Sequence, residues 1–149
     1  MPQSTVHLKV DMDGGIAVHS MQADIGQGSN TLLAAIVAEV LGVDLDRVHV
    51  QRVDSDVSPI DLGSYSSRVT FMMGNAARAA AEDLRGKIVE GAASLLGAPA
   101  DSLEVGHERI HPIGRPDEGV SFDQALHRDR KSTRLNSSHG YQSRMPSSA

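Results

Sequence analysis

Two short stretches of small, hydrogen-bonding residues each stand directly before a run with helical apolar spacing. The first is Gly26-Gln27-Gly28-Ser29, with Ile25 beside it. Glycines let a backbone come close to a ligand, and the first N–H groups of a helix attract anions. Gln27 adds an amide that both donates and accepts. The stretch is not a dinucleotide fingerprint, because the third glycine is missing at the required spacing. The second is Gly63-Ser64-Tyr65-Ser66-Ser67-Arg68, where hydroxyls and free N–H groups can cradle a phosphate or the edge of a polar ring. Arg68 can add a two-pronged donor for a phosphate. Either stretch alone reads as an ordinary capped turn; two such anion-friendly helix starts in one small domain are more suggestive of ligand binding than either alone.

A third constellation, His107-Glu108-Arg109-Ile110-His111, spells the zinc-protease pattern His-Glu-x-x-His. That chemistry needs a helix, which puts both imidazoles on one face. Gly106 before it and Pro112 after it disfavour a helix. The run reads instead as a strand, with His107, Arg109 and His111 on one solvent-facing side. Asp54, Asp56 and Asp61 share one loop and are of the type that binds a hard cation, but their spacing fits no EF-hand; they read as solvated loop acids.

The elements that must carry these residues follow from periodicity. Val6, Leu8, Val10 and Met12 alternate as in a strand, Asp13-Gly14-Gly15 marks a turn, and Ile16-Ala17-Val18 completes a hairpin. Leu32, Leu33, Ile36, Val37, Val40 and Leu41 fall at helical spacing, with Ser29 or Asn30 as the N-cap and Gly42 as the stop. Val48 and Val50, then Val53, predict a strand. A long alanine-rich helix is expected from about Val69 to about Leu96, with Gly74, Gly86 and Gly91 inside it as potential weak points and Gly97 and Pro99 as its stop. Leu103 to Ile110 suggests another strand, and Ser121 with Gln124 forms a capping box for a last helix. The order β-β-α-β-α-β-(α) predicts an α/β (α+β) fold: a mixed sheet with two main helices packed on it, as part of a larger domain.

The chain has 149 residues and a net charge of −5, which argues against a nucleic-acid surface. It holds no cysteine, so thiolate metal sites and Cys-ligated Fe–S clusters are excluded within it. No apolar stretch approaches the roughly 18 residues of a membrane span, and no secretory signal is visible; the expected location is the cytoplasm. Composition breaks after Arg128. Residues 129–149 carry six serines and four Lys/Arg against one acid, a net +3 that leaves −8 over residues 1–128. A segment this polar predicts a disordered tail. Its wording, DRKSTRLNSSH and then SRMPSSA, resembles the conceptual translation of a sequencing adapter, with the variable index falling at Gly140–Gln142. The expected domain is therefore residues 1–128, with the reading frame cut near Arg128.

The run Ala23-Asp24-Ile25-Gly26-Gln27-Gly28-Ser29-Asn30-Thr31 resembles a molybdopterin-contacting motif of the xanthine dehydrogenase/aldehyde oxidase large subunit. So does Gly63 to Thr70 with Gly74-Asn75-Ala76, at a fitting distance; Pro116 to Phe122 resembles the family's next helix start only loosely. The wording Gly-Ser-Tyr-Ser-Ser-Arg looks most like the large subunit of 4-hydroxybenzoyl-CoA reductase, with nicotinate, purine and aldehyde hydroxylases as further possibilities. The resemblance implies that Gln27 hydrogen-bonds the cofactor near the molybdenum, with Ile25, Gly26 and Gly28 close by. It implies that Ser66, Ser67 and Arg68 offer N–H groups to the pyranopterin or its phosphate. It implies a molybdenum-molybdopterin cofactor here, Fe–S and FAD centres in other domains or subunits, and an aromatic or heterocyclic substrate. The family's catalytic glutamate lies downstream of the segment matched, so no catalytic residue is expected in this chain, and the piece should be inactive alone. Two other readings stay open: a free-standing module capturing a phosphorylated ligand at the two helix starts, and a zinc hydrolase built on His107 and His111.

Overall fold

The structure, a computed structural model, describes residues 4–11, 13–51, 56, 69–131 and 136–141. The hairpin forms as the alternation requires. Strand β1 (Ser4–Val10) buries Val6, Leu8 and Val10 and turns His7 and Lys9 to the other face. It pairs antiparallel with β2 (Ile16–His19), in the register His7 opposite His19 and Val10 opposite Ile16. Asp13 closes the turn by accepting the Gly15 amide at 3.0 Å.

Helix α1 (Ser29–Leu41) buries Leu33, Ala34, Val37, Ala38 and Leu41 on the sheet. Gly42, left-handed at φ +65°, ends it as expected. A 3-10 turn at Leu45–Arg47 leads into β3 (Val48–Val50), which runs parallel to β2. This β2–α1–β3 crossover is the parallel unit of the fold. Val53, expected to extend β3, lies outside the described residues, as does the loop around Asp54 and Asp61.

The second helix begins differently from expectation. Val69–Met73 forms a π-helical turn, held in part by the Asn75 side-chain amide donating to the Phe71 carbonyl. Regular helix α2 then runs unbroken over Gly74–Leu96, through Gly86 and Gly91. Tertiary packing explains the continuity. Ala76, Ala77, Ala80, Ala81, Leu84 and Ile88 are all at most 1% exposed, so burial outweighs the roughly 1 kcal/mol that each interior glycine costs. The small residues also let α2 lie close to α1: a methyl group on Gly74 would stand 3.2 Å from Ile36 Cδ1.

The stretch expected as one strand is a hairpin. Strands β4 (Leu103–Gly106) and β5 (Arg109–Pro112) pair antiparallel around His107 and Glu108, which sit at φ +50° and +58°. Two consecutive left-handed residues make a type I′ turn, a signal normally carried by Asn or Gly and therefore unreadable here. A short β6 (Val120–Ser121) completes this small sheet. The capping box forms: Gln124 N donates to Ser121 Oγ at 3.2 Å, and Ser121 N donates to Gln124 Oε1 at 2.9 Å. Helix α3 then runs over Phe122–Lys131, longer than the two turns expected.

Within the stretch expected to be disordered, Asn136–Tyr141 forms β7, antiparallel to β1 from Ser4–Tyr141 to Lys9–Asn136. The main sheet thus has the order β3-β2-β1-β7. A backbone ladder asks little of side chains, and β1 offers an edge to pair with. The architecture is the expected mixed sheet with α1 and α2 packed on it, joined by a three-stranded sheet β4-β5-β6.

Candidate functional site

The segment from Ser20 to Asn30 leaves the end of β2 and enters α1. Gly26 and Gly28 adopt φ +107° and +76°, conformations that glycine takes without strain. A methyl group placed on either would meet nothing within 4 Å, so the loop presents an open backbone face. Ile25 projects from it 90% exposed.

The loop is closed on itself by two side chains. Asp24 is one: Oδ1 accepts the amides of Gly26 (3.0 Å) and Gly28 (3.4 Å), and Oδ2 accepts that of Asn30 (2.9 Å). Gly28 is the N-cap and carries no side chain, so neither Ser29 nor Asn30 caps α1. The carboxylate four residues upstream does so, because the left-handed glycines turn three amides toward it. Those hydrogen bonds hold the Asp24 carboxyl below the usual carboxylate range, the Asn30 amide contributing most. Its charge fills the seat that the helix start would otherwise offer to an anion. The expectation that this helix start attracts an anion is corrected accordingly.

Gln27 is the other. Its Oε1 accepts the Ile25 amide at 2.7 Å, and its Nε2 donates to the Ala23 carbonyl at 2.9 Å and to Ser29 Oγ at 3.1 Å. Below the loop, Gln22 is only 2% exposed, and its Nε2 donates to Asn30 Oδ1 at 2.7 Å. Its Oε1 is buried without a hydrogen-bond partner, like Ser20 Oγ. A groove of ≈ 320 Å³ adjoins the start of α1, lined by Asn30, Thr31, Ala34, Leu45, Val48 and Val50 among others. The loop thus sets an open glycine face beside a groove, and its Gln27 amide can meet the polar edge of a flat heterocycle only by exchanging the bonds it makes within the loop.

Ser66, Ser67 and Arg68, with Gly63 to Tyr65, lie outside the described residues. The π-helical turn that follows Arg68 packs against α1, the helix that the glycine loop enters, and against β1. Sequence reasoning missed Asp24 and Gln22 as loop-holding residues. The signal available was an acid two residues before Gly26, the spacing of an Asx turn.

The zinc reading does not survive. His107 stands at the hairpin turn and His111 on β5, not on one helical face, and no group of three His, Cys, Asp or Glu able to hold a metal occurs among the described residues. Glu108 instead ties elements together. Its amide donates to the Gly42 carbonyl (2.9 Å), its carbonyl accepts the Phe122 amide (2.9 Å), and its carboxylate takes Arg47 Nε at 2.7 Å. Arg47 also forks onto Asp123 at 2.7 and 3.2 Å, over the Phe122 ring.

A sheet with two helices packed on it, and a glycine-opened loop between strand and helix, give the chain an α+β build. The chain belongs to the molybdopterin cofactor-binding domain family, which matches residues 1–148. It is 38% identical over 131 residues to a protein of Escherichia coli strain K12 named "probable hypoxanthine oxidase", covering 88% of this chain and 14% of that one. It is 38% identical over 112 residues to a xanthine dehydrogenase molybdenum-binding subunit of Escherichia coli O157:H7, covering 74% and 15%. Among solved structures, quinoline 2-oxidoreductase from Pseudomonas putida 86 superposes with a TM-score of 0.76 at 26% identity, over 93% of this chain and 19% of that one. The chain thus spans about a seventh of the length of the curated relatives it matches.

Proposed function

We propose that this chain is a cofactor-contacting segment of the large subunit of a molybdenum-dependent oxidoreductase of the xanthine dehydrogenase type. The observation that carries the reading is the open face of Gly26 and Gly28 around Gln27, in a chain of the molybdopterin-binding family. Ile25, Gly26, Gln27 and Gly28 hold one side of the cofactor, and Ser66, Ser67 and Arg68 offer it backbone N–H groups. The bound molybdenum centre supplies two-electron redox chemistry, while the protein orients it. This chain's residues bind and place; none is assigned a proton transfer. Gln27 is satisfied within its own loop, so its amide meets the cofactor by exchanging bonds to Ala23, Ile25 and Ser29.

The names of the relatives, hypoxanthine oxidase and xanthine dehydrogenase, together with quinoline 2-oxidoreductase, support a small aromatic or heterocyclic substrate. The Gly63–Arg68 wording favours a 4-hydroxybenzoyl-CoA reductase type within that class. Partners are the rest of the large subunit and subunits bearing Fe–S and flavin centres, supported by a relative named as a molybdenum-binding subunit. The free-standing phosphate-binding module finds no support: the relatives named above are far longer proteins. No described helix is long and apolar enough to cross a membrane.

Gln27→Ala in the complete enzyme tests the site. Elemental analysis should show molybdenum per protomer falling about tenfold, the loss typical of removing a cofactor-orienting contact. Undiminished molybdenum would remove Gln27 from the site. Molybdenum-dependent turnover by the isolated 149-residue chain would overturn its assignment as a non-catalytic piece.

A further inference from the structure

The start of α1 is gripped twice at one residue. Asn30 gives its backbone amide to Asp24 Oδ2 at 2.9 Å and accepts on its side chain from Gln22 Nε2 at 2.7 Å. Asp24 sits at the surface and Gln22 is buried, so Asn30 links the collar of the loop to its root. Asp24 also holds the amides of Gly26 and Gly28, and those three bonds set the left-handed turns that open the glycine face. Asn30 lines the adjoining groove as well. Neither Asp24 nor Asn30 packs in the hydrophobic core. Their bonds serve the shape of one loop.

We propose that Asp24 and Asn30 are positioning residues for the molybdenum cofactor, fixing Gly26-Gln27-Gly28 in its binding shape before the cofactor arrives. This rests on the reading that the loop contacts the cofactor. Asp24→Asn keeps the size of the side chain but removes the charge and the second acceptor oxygen. Asn30→Ala keeps the backbone amide and cuts the tie to Gln22. Neither touches the cofactor contacts assigned to Gln27.

The test uses the holoenzyme that carries this domain, with Asp24→Asn, Asn30→Ala and Gln27→Ala compared at equal protein. Molybdenum and acid-released pterin per protomer are measured together with the thermal midpoint of the apoenzyme. Both positioning variants should lose molybdenum and pterin in parallel, by about tenfold as other cofactor-supporting contacts do, while the apoenzyme stays folded with its midpoint lowered by only a few degrees, the cost of a lost cap or buried hydrogen bond. Asp24→Glu, which keeps the charge, should recover part of the loss. Full cofactor in Asp24→Asn and Asn30→Ala beside a depleted Gln27→Ala would overturn the proposal and leave the loop assignment standing. Full cofactor in all three would overturn both. If Asp24→Asn yields no folded enzyme, the exposed Asn30→Ala decides alone, and full cofactor there overturns the proposal.

Discussion

At the scale of single residues, the site rests on backbone conformations that only some residues tolerate. Gly26 at φ +107° and Gly28 at φ +76° leave no comfortable conformation for a side chain, although there is space for one. Gly28→Ala should therefore cost about 1–2 kcal/mol of left-handed strain without any clash. A lowered thermal midpoint with unchanged helix content would show it. The Arg47–Asp123 fork gives a pH effect. Arg47, by hydrogen bond and then by charge, holds the Asp123 carboxyl below its ordinary range. A group depressed on folding contributes stability above its unfolded value, about 3.9. That contribution is lost as pH falls through the lower folded value. Asp123→Asn should flatten this part of the acid limb and leave stability above neutrality lower; equal acid profiles for both proteins would deny the link. The glycine turn around Gln27 before α1 was legible in the sequence. The Asx-turn spacing of Asp24 before Gly26 was readable, but its reach to the Asn30 amide and the buried tie from Gln22 were not, because neither contact has a fixed spacing in sequence.

At the scale of elements, what periodicity could read it read well. The alternation of Val6, Leu8 and Val10 and the helical spacing of Leu33, Val37 and Leu41 correspond to faces that are buried. The β4–β5 hairpin was hidden because its turn uses His107 and Glu108 in place of Asn or Gly. Glu108 holds its strained position through Gly42, Phe122 and Arg47, whereas His107 is exposed at the turn. His107→Gly should thus stabilise the protein by about 0.5–1 kcal/mol by relieving a positive φ. A higher midpoint would confirm that, and a loss would mean His107 has a role beyond the turn. Close α1–α2 packing makes the opposite case. Gly74→Val, set against Ile36 Cδ1, should destabilise by about 1–3 kcal/mol through overpacking. Denaturant unfolding with an unchanged slope would measure it.

At the scale of the whole molecule, the mixed sheet, its two main helices and the family were legible. They rest on long periodic runs and on two loop motifs that occur together. The tail was less so: composition gives the entropy cost of ordering residues 129–149, but not the edge of β1 that Asn136–Tyr141 pairs with. Its reading as adapter translation remains a proposal, checked by sequencing the source DNA across the codon for Arg128. A frame continuing into a different sequence supports it, and DNA that encodes Asp129 to Ala149 contradicts it. The loop assignment is tested most directly by an experimental structure of the complete enzyme with its molybdenum cofactor bound. The expected result is an atom of Gly26, Gln27 or Gly28 within hydrogen-bond reach of the cofactor, about 3.5 Å or less, with Asp24 still holding the loop amides. A cofactor seated elsewhere, with no atom of this loop in reach, would contradict it.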